Sequence, residues 1–374
     1  MINLFQPCAD GPEADAIADV LRSNWLGTGE IVDRFEHQFA RYIGASAEQT
    51  LATTSCTEGL FQAVAALGLG PGDEVILPTI SFVGAAHAAR STGARIALCD
   101  VDPETLNPTV ATVEQAAGPD TKAVLVLHYG GEPGELRAIS ELAADRGWWL
   151  IEDAATGLGS FSEGRACGTF GDVGVWSFDA MKVLTTGDGG MVWCRSEEVA
   201  LRIRATIRLG VGASGFQQRN AAHRWWELDP DTTGRRATMN NVAASIGLVQ
   251  LARLPDFLGR RMAIAARYDV ALRELDWLRT PTRTEHTAPH FYAVRSAVRD
   301  ALARSLLTDD IYTSFRYWPL HRTRLYKGEA QRFPGAEAAS ASTLLLPLHQ
   351  ALSDADIGKV VASLQAFDPD ATHQ

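Results

Sequence analysis

The chain has 374 residues, more than one compact domain usually holds, so one large and one smaller domain are expected. Its 46% hydrophobic content suits a globular protein with a sizeable core, and its formal charge of -11 argues against nucleic acid or an anionic membrane as partner. No apolar run reads as a bilayer span, and the first seven residues lack the basic and apolar regions of a signal peptide, so the cytoplasm is the expected compartment.

The first segment predicts a helix with Ala14, Ile17, Val20 and Leu21 on one face, broken at Asn24-Trp25-Leu26-Gly27-Thr28-Gly29. A second helix follows, with Ile31, Phe35, Phe39 and Tyr42 on one side. From Leu51 to Cys194 strands and helices alternate. Ser55-Cys56-Thr57 leads into a helix through Leu60, Phe61, Val64 and Leu67. Strands are expected over 74–78, 95–99, 122–127, 148–151 and 172–176, with helices over 84–89 and 136–144 between them. Such alternation predicts an α/β fold: a three-layer αβα large domain with a mainly parallel sheet. Ligands bind at the carboxyl ends of strands in such sheets. Ser55, Phe82, His128, Asp153 and Ser177 all fall at or just after these ends.

Residues 196–235 are less regular, include Trp225-Trp226, and read as a long excursion that could reach a partner subunit. Two helices are expected next, one from Asn240 through Leu254 and one from Arg260 to Leu275. The large domain is placed at 1–250, its first helix a candidate to pack with the smaller domain. Residues 251–374 are expected to form that smaller α+β domain, with a strand over 290–294 and a final helix over 354–367. The five cysteines (Cys8, Cys56, Cys99, Cys167, Cys194) are scattered without metal-ligand spacing, so neither a zinc site nor a disulfide framework is expected.

Lysine is rare, with four against thirty arginines, so the chain uses Arg where it needs only positive charge. Lys182 follows the strand ending near Ser177 and precedes the Gly-rich run Thr185-Thr186-Gly187-Asp188-Gly189-Gly190. Asp153 ends an earlier strand in Ile151-Glu152-Asp153-Ala154-Ala155. This is the arrangement a pyridoxal phosphate (PLP) enzyme needs: the amine forms a Schiff base, and the Asp holds the pyridine nitrogen protonated. Taken alone, Asp153 reads equally as a helix N-cap, and Ser55-Cys56-Thr57 as ordinary capping residues. Beside Lys182, the latter become a phosphate site of free N–H groups and a hydroxyl, with Ser177 as a second hydroxyl donor. Phe82 is a core residue by default and a cover for the pyridine ring in this setting.

Further runs are Thr28-Gly29 to Phe35-Glu36, Gly70-Pro71-Gly72-Asp73-Glu74-Val75-Ile76, Asp100-Val101-Asp102, His128-Tyr129-Gly130, Gly168-Thr169-Phe170-Gly171-Asp172, Tyr317-Trp318-Pro319-Leu320-His321 and Leu346-Pro347-Leu348-His349. Together with the Lys182 and Asp153 segments, this spaced set resembles the DegT/StrS-type sugar aminotransferases, fold-type I PLP enzymes that aminate keto sugars, usually nucleotide-linked. The resemblance implies that Lys182 is the Schiff-base lysine and proton shuttle, Asp153 the partner of the pyridinium nitrogen, and Phe82 the ring cover. It also implies that Cys56 (backbone), Thr57 and Ser177 hold the phosphate. A homodimer with shared active sites, a keto-sugar substrate and an amino acid donor, Glu or Gln, come with it.

Three departures stand out. Thr156 occupies the place of a Gln, His or Glu near the cofactor's 3-hydroxyl. Asp188 replaces a Glu. Arg236 takes the column from which relatives present an Asn to the neighbour's PLP phosphate, and Thr238 that of an Arg. Trp25, Thr28, Tyr129, Trp225, Trp226 and His321 are candidates to line the substrate pocket, each with packing as its alternative. A keto-cyclitol or another biosynthetic ketone is the alternative substrate, and a regulatory protein on the same scaffold the alternative class. The intact Lys182 and Asp153 favour the enzyme.

Overall fold

The computed structural model describes residues 1–211, 230, 232–284, 286–327 and 332–370. Its strands are β1 (Thr50–Thr53), β2 (Glu74–Pro78), β3 (Arg95–Cys99), β4 (Thr121–Leu127), β5 (Trp149–Asp153), the short pair β6 (Phe161–Ser162) and β7 (Arg165–Ala166), β8 (Val173–Ser177), β9 (Gly190–Cys194), β10 (Tyr292–Arg295) and β11 (Thr343–Leu346). Seven of them form one sheet in the order β1-β9-β8-β5-β4-β2-β3. Only β9 runs against its neighbours in that sheet.

Alternation along the strands sends side chains to two faces. Leu51, Val75, Leu77, Leu125, Ile151, Val175 and Val192 pack on one face with helices Cys56–Ala66 and Val83–Ser91. On the other face Ile76, Val124, Val126 and Leu150 meet residues of helices Val110–Ala116 and Leu136–Arg146. Trp176, Met191 and Trp193 share that other face with residues of helices Glu30–Tyr42 and Asn241–Ala271. This is the expected three-layer αβα arrangement.

The C-terminal part builds its own core. β10 and β11 pair antiparallel, and Tyr268, Tyr292, Leu302, Leu344, Ile357 and Leu364 cluster there. The first residues of the chain join it: Ile2 bridges Ile311, and Leu348 N–H donates to the Leu4 carbonyl at 3.3 Å.

Three expectations change. One helix of 31 residues, Asn241–Ala271, replaces the two expected, and it runs straight across the boundary placed at residue 250. Pro255 lies inside it. The missing hydrogen bond is offset by burial of Leu251, Leu254 and Phe257 on the following and preceding turns. The first helix, Glu13–Ser23, packs on this long helix, and Glu13 accepts from Gln250 and Arg253, both at 2.6 Å. The long helix also meets the length and apolarity of a bilayer span, with a mean hydropathy of 1.2 over 18 residues, although no such run was expected. Its Ala244, Leu254, Ile264 and Ala265 are buried against the rest of the protein.

The segment expected to be irregular opens with a regular helix, Glu197–Thr206, with Glu197 and Glu198 in its first turn. Its Arg204 reaches the buried Glu36 at 3.1 Å and the Thr50 carbonyl at 2.9 Å. Glu36 also accepts from Ala52 N–H at 2.7 Å. Burial raises the Glu36 carboxyl, with Arg204 as the main opposing influence. Arg204→Met should therefore destabilise the fold by about 3–5 kcal/mol, because it leaves a buried carboxylate without its cation. Urea unfolding checks this, and a midpoint unchanged from wild type would contradict it.

Candidate active site

The carboxyl ends of β1, β5 and β8 converge on one cavity of about 290 Å³. Cys56, Thr57, Phe82, Asp153, Ser177 and Lys182 all line it, from four separate segments. Residues 212–229 and 231, and with them Trp225 and Trp226, lie outside the described residues.

The helix Cys56–Ala66 starts at the cavity. Ser55 is its N-cap, in extended conformation, and its Oγ accepts from Glu58 N–H at 3.1 Å. The N–H groups of Cys56 and Thr57 carry no partner among the described residues. Two glycines make room here. A Cβ on Gly190 would lie 2.6 Å from Cys56 N, so only glycine lets β9 pass this turn. A Cβ on Gly84 would lie 2.9 Å from the Phe82 ring and 3.1 Å from the Thr57 methyl. Phe82 keeps 42% of its surface exposed, beside the Tyr317 ring at 5.6 Å.

Asp153 is 1% exposed at the end of β5. Its Oδ1 accepts from Ala155 N–H at 3.1 Å and from the Cys56 thiol at 3.8 Å. Its Oδ2 makes no hydrogen bond among the described residues. Burial pushes this carboxyl up, with the Ala155 N–H, Lys182 and His128 pulling the other way. No helix begins after Asp153, so the capping alternative lacks the helix it would serve. Behind it, Glu152 accepts from Gly168 N–H at 2.7 Å and meets His128 Nε2 at 2.9 Å, which ties β5 to the approach to β8.

Lys182 is half-buried, and its amine makes no hydrogen bond or ion pair among the described residues. Its turn is fixed through the backbone: Lys182 N–H donates to the Asp179 carbonyl and Thr186 N–H to the Phe178 carbonyl, both at 2.9 Å.

Other candidates lie elsewhere. Thr156 is buried, and its hydroxyl is spent on the His128 carbonyl, so it does not border the cavity. Trp25 Nε1 donates to the Thr28 carbonyl at 3.1 Å, and the Thr28 hydroxyl donates to the Met239 carbonyl at 2.7 Å. Tyr129 is buried with its hydroxyl on the Arg316 carbonyl. His321 joins Thr79 and Glu337, each at 2.7 Å, and stacks on Phe333. None of these four lines the cavity. Arg236 is exposed, bridged to Arg208 through the backbone, and also outside it.

The cavity gains Met181, Asp188, Arg316 and Tyr317 as walls. Burial raises the Asp188 carboxyl. Tyr317 stood in a quoted run without a role, and Arg316 directly precedes it. Nothing local marks either as facing Lys182, since the two segments meet only through the fold.

The sequence pattern of the DegT/DnrJ/EryC1/StrS aminotransferase family matches residues 7–365. The chain belongs to this family. It is therefore an aminotransferase that works with PLP. Over 371 residues the aminotransferase is 47% identical to the dTDP-4-dehydro-2,3,6-trideoxy-D-glucose 4-aminotransferase of Saccharopolyspora spinosa, covering 98% of this chain and 96% of that one. It is 31% identical to the GDP-perosamine synthase of Caulobacter vibrioides, with 97% of each chain covered. Among solved structures it resembles the aminotransferase TlmJ from Streptoalloteichus hindustanus, with TM-score 0.93, 51% identity and 100% of each chain covered.

The residues present fit PLP. Around one cavity lie a carboxylate oxygen, an amine and two N–H groups at a helix start that have no partner among the described residues, together with a half-exposed aromatic.

Proposed function

We propose that this aminotransferase moves the amino group of an amino acid, Glu or Gln, onto the keto carbon of a nucleotide-linked sugar. The observation that carries the chemistry is the free Lys182 amine sharing one cavity with the buried Asp153. The relative from Saccharopolyspora spinosa, named for a dTDP-linked keto sugar, supports the substrate class.

When bound, PLP supplies the electron sink for the carbon that carries the transferred nitrogen. Lys182 Nζ would hold the cofactor and would move a proton at the donor's α-carbon. Asp153 would keep the pyridine nitrogen protonated. The N–H groups of Cys56 and Thr57, with the Thr57 and Ser177 hydroxyls, bind the phosphate at the helix start. Phe82 would cover the ring and keep water from it.

The test is amination of a dTDP-linked 4-keto deoxysugar by the PLP-loaded enzyme with Glu or Gln, read as the amino product by mass spectrometry. No product from any nucleotide-linked keto sugar, together with turnover of a keto-cyclitol, would overturn the substrate assignment.

The reading includes a homodimer in which Arg236 of one subunit reaches the phosphate of the other. Its exposed position outside the cavity of its own chain supports this. Arg236→Ala should weaken PLP binding about tenfold to a hundredfold, the loss of one charge-assisted contact. Mixing inactive Lys182→Ala with an inactive Arg236→Glu variant should restore turnover, since each mixed dimer contains one site with both residues intact. Subunit exchange without recovery would rule out the shared site.

A further inference from the structure

Arg261 is a buried cation without an anion. It lies on the long helix, 2% exposed, and no carboxylate is within ion-pair distance of it among the described residues. Burial pushes its guanidinium down to about 9, which leaves it charged at neutral pH. A charge in such a place is costly unless hydrogen bonds replace water. Three neutral acceptors do so: the Pro289 carbonyl at 3.0 Å, the His290 carbonyl at 2.8 Å and Gln350 Oε1 at 3.1 Å.

Gln350 passes this anchor on. Its Nε2 donates to the Val183 carbonyl at 3.0 Å. Arg261 can only donate and a carbonyl can only accept, so the two partners fix which end of the amide faces which way. Val183 directly follows Lys182. The long helix also grips the other side of that turn, where the buried Gln250 Oε1 accepts from Thr185 N–H at 3.3 Å. The Lys182 amine makes no hydrogen bond or ion pair of its own among the described residues. Its place in the cavity is therefore set by the backbone that carries it.

We propose that Gln350 is a positioning residue for the reaction: oriented by Arg261, its amide pins the Val183 carbonyl and so holds the Lys182 amine where it takes up and releases the proton. The inference rests on the reading of Lys182 as the proton carrier. Neither Gln350 nor Arg261 lines the cavity, so both act through the lysine turn. A shift of about 1 Å at a reacting group can cost about 10²-fold in rate. Loss of the pin therefore falls on the turnover number rather than on the affinity for either substrate.

The experiment compares PLP-loaded wild type, Gln350→Glu and Gln350→Met. The Glu variant keeps an oxygen for Arg261, now as an ion pair, but has no N–H for Val183. Its melting temperature should stay close to that of wild type. The Met variant removes both contacts without adding charge. In both, kcat with glutamate or glutamine as donor should fall about tenfold to a hundredfold, with KM nearly unchanged. Hydrogen exchange should quicken over residues 178–186. Covalent capture of added PLP by the cofactor-free variants, read after borohydride reduction, should slow. A role confined to stability predicts the reverse for Gln350→Glu: full turnover at an unchanged melting temperature. Wild-type kcat in either folded variant would overturn the inference. So would a raised KM at wild-type kcat, or exchange over 178–186 that matches wild type. Near-normal turnover in Lys182→Ala would remove the Lys182 reading instead, and this inference with it. An inactive Lys182→Ala beside a fully active Gln350→Glu would remove this inference alone.

Discussion

Lys182→Ala is expected to abolish covalent attachment of PLP and to lower turnover by at least about 10⁴-fold, since it removes both nucleophile and proton carrier. Borohydride reduction followed by mass spectrometry should find the cofactor on wild type and not on the variant. The fold should survive, because the Lys182 amine makes no hydrogen bond or ion pair among the described residues. Residual non-covalent binding is also expected, since the helix start at Cys56 and the Asp153 carboxylate are untouched. A small added amine should restore part of the proton transfer. Near-normal turnover in Lys182→Ala would remove this lysine from the chemistry.

Asp153→Asn should fold and bind PLP, yet lose transamination about 10²-fold or more, because an amide cannot keep the pyridine nitrogen protonated. The side-chain oxygen that accepts from Ala155 N–H survives the exchange, so the turn after β5 is retained. A capping residue would tolerate this substitution well. Full activity in a folded Asp153→Asn enzyme would thus return Asp153 to a structural role. Acidity gives a second readout. Burial raises the Asp153 carboxyl, so it takes up a proton at higher pH than an exposed Asp does. Once neutral, it no longer favours a protonated pyridine. PLP affinity in wild type should therefore fall as the pH is lowered, and Asp153→Asn should lose that component. Parallel pH profiles for the two proteins would contradict the assignment.

The large sheet was legible because its central strands carry apolar runs buried on both faces, such as Ala123 to Leu127 in β4 and Leu150-Ile151 in β5. The residues at their carboxyl ends were legible for the same reason, as a strand end in such a sheet is a place for a ligand. The two helices expected on either side of residues 255–259 are one, because the burial of Leu251, Leu254 and Phe257 around Pro255 is a tertiary effect that local sequence does not record. Trp25, Thr28, Tyr129 and His321 have the side chains of a binding pocket, and each also makes a hydrogen bond within the chain away from the cavity. Nothing in the residue types separates those two uses. The wall of Arg316 and Tyr317 was illegible for another reason: it is contributed from beyond the long helix, and no periodicity records which distant segments meet.

The pairing of the chain's opening residues with its C-terminal part bears on recombination with relatives. A chimera joined within the helix Asn241–Ala271 would exchange Arg316 and Tyr317 while leaving Lys182 and Asp153 with the first parent. Ile2, Leu4 and Phe5 would then face foreign partners, because they dock on Ile311, Leu348 and Phe291. Crossover designs that graft both ends of the chain together from one parent, around a central block from the other, respect that seam and transplant this wall of the cavity as one piece.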